Sequence, residues 1–223
     1  MFKIVYGMVL ILLLGMMTAC QTMQDTRDEE KKISAAKIND RLGVVYLERH
    51  DMQRAKQKFL LALDQAPHIP ETWYSMAYYL ESTGNKGQAK KYYLKALTLA
   101  PDRGDVLNNY GTYLCRSGDY HGAVTYFLKA TQDPKYLDLA AAYENAGLCS
   151  LKAPKANNAK MYFDKAIAED PNRVTAWIEL AELNYKQHNY ALARRQLHRF
   201  LQLSSPTVQT YLLEKKIDAK LDS

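Results

Sequence analysis

Three cysteines and five histidines carry most of the reactive chemistry open to this chain. A thiol acts as nucleophile, metal ligand or disulfide partner and an imidazole as general base, and each role needs a second group within hydrogen-bond reach. Cys20, Cys115 and Cys149 form no CxxC pair, and His50, His68, His121, His188 and His198 are far apart. His50, His121 and His188 fall near expected inter-helix turns, where a solvated histidine is ordinary. No HExxH, GxSxG, phosphate loop or dinucleotide fingerprint occurs, and no Cys/His group has zinc spacing. The pattern points to no catalytic residue, no metal, no cofactor and no small-molecule substrate. Acylation and disulfide formation remain as roles for the thiols.

Charge narrows the classes further. The chain carries a net charge of +6 with 24 % charged residues, but Lys and Arg alternate with Asp and Glu along its length. Interspersed charge reads as a solvated surface and argues against nucleic acid as a partner. Arg194, Arg195 and Arg199, with Lys215, Lys216 and Lys220, make one locally basic end, suited at most to anionic lipid or an acidic partner.

At the N-terminus, Lys3 precedes the apolar run 4–14, which is followed by Gly15-Met16-Met17-Thr18-Ala19-Cys20. The run is shorter than the ~20 residues of a membrane span and reads as a secretion signal over residues 1–19. Thr18-Ala19-Cys20 resembles the bacterial lipobox, with Met17 where that motif usually has Leu. The resemblance implies cleavage before Cys20 and acylation of its thiol and new amine. Several acyl chains, at about 0.8 kcal/mol per buried methylene, anchor a protein without a transmembrane helix. Lipoproteins kept in the inner membrane tend to have Asp after the acylated Cys, and Gln21 stands here, so the resemblance favours the periplasmic face of the outer membrane. Residues 20–32 are polar and charged and read as a flexible tether.

The elements beyond this segment come in repeats. Small residues recur at Gly43, Ala77, Gly111, Gly147 and Ala181, at spacings of 34, 34, 36 and 34. Ala55, Ala89, Ala123, Ala159 and Ala193 repeat those spacings, and Ala62, Ala96, Ala130 and Ala166 form a third series. Aromatics fall between the second and third series at Phe59, Tyr93, Phe127 and Phe163, and Pro67, Pro101, Pro134 and Pro171 close the units. These residues match the tetratricopeptide (TPR) pattern over residues 33–205. The fold class expected is all-α: a right-handed superhelical solenoid of antiparallel helix pairs, with repeats at 36–69, 70–103, 104–139, 140–173 and 174–206 and a capping helix over 207–223. The two extra residues around Asp133-Pro134-Lys135-Tyr136 belong in a connecting turn.

Cys115 and Cys149 then fall late in the first helices of adjacent repeats. Export would place both in an oxidising compartment, favouring a disulfide that staples the third repeat to the fourth, with two buried free thiols as the alternative.

In TPR architecture the first helices line the concave face. Val44, Leu47, Tyr74, Tyr78, Asn108 and Thr112 are therefore the candidate partner-binding residues, suited to an amphipathic helix, unless they pack within the domain. TPR clamps that grip a terminal carboxylate need Lys and Asn where this chain has Asp40 and Val44, which argues against that mode. The segments Asn108-Asn109-Tyr110-Gly111-Thr112-Tyr113-Leu114-Cys115-Arg116-Ser117-Gly118-Asp119-Tyr120 and Glu144-Asn145-Ala146-Gly147-Leu148-Cys149 resemble the PilF/PilW family of type IV pilus lipoproteins. That resemblance implies an outer-membrane pilotin or pilus-stability factor that binds the secretin subunit and promotes its targeting and multimerisation. Asn108 and Asn109 also read as amides that bond backbone between repeats. The competing class is a general TPR scaffold of the envelope, serving outer-membrane protein assembly or peptidoglycan enzymes.

Overall fold

The computed structural model describes residues 2–153 and 158–222, with side chains from residue 24 onward. Among the described residues the chain forms eleven helices and no strand, and it divides into two compact units, Met1–Leu99 and Ala100–Ser223. The first unit holds α1 (Phe2–Glu48), α2 (Met52–Gln65), α3 (Pro70–Ser82) and α4 (Lys86–Leu99). The second holds α5 (Gly104–Arg116), α6 (Tyr120–Ala130), α7 (Leu139–Lys152), α8 (Ala159–Glu169), α9 (Val174–Lys186), α10 (Tyr190–Leu203) and α11 (Val208–Leu221). Consecutive helices pack as antiparallel pairs, giving an all-α TPR fold.

The pairing has a steric cause. A Cβ built on Gly43 of α1 would lie 2.6 Å from Cε1 of Phe59 on α2, and one on Gly147 of α7 equally close to Cε1 of Phe163 on α8. In α5, a Cβ on Gly111 would lie 2.9 Å from the Phe127 ring. The small residue of the first helix is the hole that receives the aromatic of the second, and the three phenylalanines are fully buried. Ala77 with Tyr93 and Ala181 with Leu197 fill the corresponding places in the other pairs, all of them buried.

One turn design joins the helices of four pairs. His50, Gly84, Gly118 and His188 adopt left-handed backbone, with φ of 59°, 83°, 90° and 62°. Each donates its amide three residues back, and the next residue donates five residues back, as in Asp51 N to Tyr46 O at 2.9 Å and Asn189 N to Asn184 O at 2.8 Å. This closes the last carbonyls of the first helix. Asp51, Asn85 and Asp119 then cap the second helix, accepting from the amides of Arg54 (3.0 Å), Gln88 (3.4 Å) and Gly122 (2.9 Å). His50 and His188 therefore hold positions that glycine fills in the second and third pairs, and both side chains are exposed.

Between pairs, Trp73 Nε1 donates to Pro67 O (2.7 Å) and Trp177 Nε1 to Pro171 O (2.8 Å), so these two closing prolines also anchor the start of the following helix. The longer connection, residues 131–138, is pinned by Asp133, whose carboxylate accepts from the amides of Gly104 (2.7 Å) and Lys135 (2.9 Å). Those two bonds hold its carboxyl below the usual range. α11 begins with a reciprocal Thr207–Thr210 capping box and buries Ile217 against Leu197 and Phe200.

One region departs from expectation. Residues 20–32, read as a flexible tether, run as part of α1. Charged side chains at helical spacing support a helix without burial, and here Lys31 Nζ lies 3.0 Å from Asp28 while Gln24 donates to Asp28 at 3.3 Å. The side chains of residues 1–23, including the expected acylation site Cys20, lie outside the described residues.

Candidate functional site

In the first unit, helical register sorts the candidates. Asp40 and Tyr74 occupy equivalent positions on α1 and α3, as do Val44 and Tyr78. Val44 and Tyr74 are half-buried and Tyr78 is 44 % exposed. Leu47 corrects the sequence reading. It follows Ala36 and Gly43 on the face of α1 that meets α2, and it is buried, so it is a core residue and not a contact residue. An aspartate there would enter the core, and Leu47 has no place in a binding test.

Sequence reasoning missed another row. Ile38, Leu42 and Val45 recur at helical spacing on α1 and are 55 %, 37 % and 38 % exposed. Their equivalents on α3, Thr72, Met76 and Tyr79, are all buried. The same face that α3 covers with the preceding pair is left open on α1. Placing positions 38, 42 and 45 beside 72, 76 and 79 gives the signal that would have found it.

A cleft of about 340 Å3 opens beside Asp40, Glu71 and Tyr74, with Lys37 and Arg41 at its edge. Ser75 Oγ donates to Asp40 Oδ2 at 3.0 Å, while Asp40 Oδ1 is buried without a hydrogen-bond partner. Burial pushes the Asp40 carboxyl up to about 6; the Ser75 bond opposes this and the nearby Glu71 charge adds to it. Because the folded value lies above the unfolded one, the carboxyl favours the fold fully only while protonated, and that contribution is lost as pH rises through about 6. Asp40→Asn keeps the Ser75 bond. It should raise unfolding stability by up to about 3 kcal/mol at pH 8, and by little near pH 4. Urea denaturation at the two pH values checks this, and an equal gain at both would contradict it.

In the second unit, Asn108 and Thr112 are half-buried and engaged internally. Asn145 Nδ2 donates to Asn108 Oδ1 at 3.1 Å, joining α7 to α5, and Thr112 Oγ1 donates to Asn108 O at 2.9 Å. Asn109 Nδ2 donates to Asp105 O at 2.8 Å, within its own helix. Glu144, equivalent in register to Asn108, is buried and takes two bonds from Arg173, Nη2 to Oε1 at 2.9 Å and Nε to Oε2 at 3.4 Å. Cys115 and Cys149 are joined by a disulfide, with Cα atoms 5.8 Å apart. The amides, the ion pair and the disulfide fix first helices to one another, so Asn108 and Thr112 serve the packing of the second unit.

The tetratricopeptide-repeat family profile matches residues 70–103 and 151–205. The type IV pilus assembly protein PilF of Pseudomonas aeruginosa is 30 % identical over 210 residues, covering 93 % of this chain and 83 % of that protein. The chain belongs to the PilF/PilW family. Two solved structures of PilF/PilW proteins agree with it. That of Pseudomonas aeruginosa PilF superposes with a TM-score of 0.77 at 29 % identity, covering 86 % of each chain. That of PilW, described as a widely conserved type IV pilus biogenesis factor, gives 0.72 at 26 % identity, covering 84 % of this chain and 86 % of that one. Membership of the PilF/PilW family supports a role in type IV pilus biogenesis and protein partners for the TPR fold.

Proposed function

We propose that this protein is a non-enzymatic adaptor, anchored by lipid on Cys20 to the periplasmic face of the outer membrane. It binds the type IV pilus secretin subunit and promotes the targeting and multimerisation of that subunit or the stability of the pilus. The observation that carries the binding half is the open row Ile38, Leu42 and Val45 on α1. Side chains this far exposed gain roughly half of the ~1.5–3 kcal/mol of full burial when covered, and an amphipathic segment of a partner covers such a row well. The anchoring half rests on the lipobox-like sequence ending at Cys20.

The test is a triple substitution, Ile38→Asp, Leu42→Asp and Val45→Asp. These residues are exposed, so helical circular dichroism should be unchanged while co-purification of the secretin subunit is lost. Loss of the three apolar contacts predicts a fall in affinity of at least about fortyfold. Full retention of the secretin on the triple variant would contradict this site.

A further inference from the structure

A second charged surface lies at the other end of the chain, in a cleft of about 500 Å3 between α10 and α11. Arg194, Arg195, His198 and Arg199 line it from α10, and the fully buried Leu197 and Ile217 lie beneath them. Among the described residues Glu214 of α11 is the one carboxylate in the lining, and it makes no ion pair with these arginines. Neither Arg194 nor Arg195 pairs with a carboxylate among the described residues, and Arg199 spends one N–H on Gln202 Oε1 at 3.1 Å, which leaves it further donors. Three guanidinium groups thus line one cleft with a single opposing charge. Solvated arginines scattered over a surface would not share a lining.

The spacing of these cations limits what they fit. Arg195 and Arg199 are one helical turn apart, as are Arg194 and His198, and side chains so placed stand about 5–6 Å from one another. Alternate residues of an extended chain point to the same side at about 6.6–6.8 Å. Two carboxylates separated by one residue therefore match two successive turns of α10, and each can take parallel N–H bonds from a guanidinium. A small free anion engages one turn at a time, whereas two carboxylates on one chain engage both.

We propose that the α10–α11 cleft binds an extended acidic segment of a partner protein, with carboxylates on alternate residues. This site is separate from the apolar row of the first unit and does not depend on the secretin assignment. The probe is a fluorescein-labelled peptide in which Glu alternates with Leu, titrated against the full chain by fluorescence anisotropy, with a Gln-for-Glu peptide alongside. The expected result is saturable binding of the Glu peptide, weakened at least about tenfold by Arg195→Glu with Arg199→Glu and by the neutral pair Arg195→Gln with Arg199→Gln. Lys90→Glu with Lys91→Glu makes the same charge change on exposed residues of the first unit and should shift affinity less than about twofold. Equal weakening by the two Glu pairs would reduce the effect to general attraction and overturn the site. So would absence of saturable binding, or equal binding of the Gln peptide. Vesicles containing phosphatidylglycerol supply the competing source of anions: binding to them that depends on Arg195 and Arg199 and that the Glu peptide cannot displace would assign the cleft to lipid and overturn the proposal.

Discussion

Phe127→Ala lowers the unfolding free energy by about 3–5 kcal/mol, because it removes the aromatic that fills the hole over Gly111 and leaves a cavity that rigid helix backbones cannot close. The ring is 1 % exposed and is buried in one cluster with Ala123, Ala146, Cys149 and Tyr162, so it joins the α5–α6 pair to the α7–α8 pair. Most single domains are stable by about 5–15 kcal/mol, so the loss is large enough to lower the urea midpoint markedly. The reciprocal change, Gly111→Leu, drives a side chain into the Phe127 ring and should cost about 1–3 kcal/mol. Urea denaturation followed by circular dichroism checks both. A loss under about 1 kcal/mol for Phe127→Ala would mean that the small-to-aromatic contact does not hold the pairs together.

Replacing Cys115 and Cys149 together by serine costs about 3–4 kcal/mol on the chain-entropy account, since the disulfide closes a loop with a sequence separation of 34. Cys149 is fully buried in the same cluster as Phe127, so part of the cost comes from placing a hydroxyl among apolar groups. Reduction of the native protein with dithiothreitol isolates the crosslink, because it leaves both sulfur atoms in place. Reduced native protein should unfold at lower urea than oxidised protein, with the serine pair at or below the reduced form. Identical midpoints with and without dithiothreitol would remove the staple from the account.

Much of this fold is readable without coordinates because its principal contact is a matter of size. A recurring Gly or Ala, an aromatic at a fixed distance and a closing proline describe how two helices approach, and that pattern repeats through residues 33–205. Gly84 and Gly118 are the residue type that left-handed turns favour, but at His50 and His188 only alignment with those glycines shows that a histidine holds the same conformation. Leu47 misled because the concave face and the α2-facing face lie side by side on α1, and its place relative to Gly43 decides between them. The Ile38, Leu42 and Val45 row was hidden for another reason: exposure depends on whether a neighbouring pair covers that face, which the pattern of one repeat does not state. The Glu144–Arg173 pair joins residues in different repeats, and the pattern of one repeat does not state that contact. The basic cleft was half visible. Its arginines stand out in the sequence, but the cleft needs α11 laid against α10.

The most direct test of the central claim follows the secretin in fractionated membranes of a strain lacking this gene, complemented with the wild-type protein or with Cys20→Ala. A lipid-anchored adaptor that binds and carries the secretin predicts loss of its detergent-resistant multimer in the deletion strain and full recovery with the wild-type form alone. Normal secretin multimer at the outer membrane of the deletion strain would contradict that role, moving the function to pilus stability if piliation is still lost and to a general envelope scaffold if it is not.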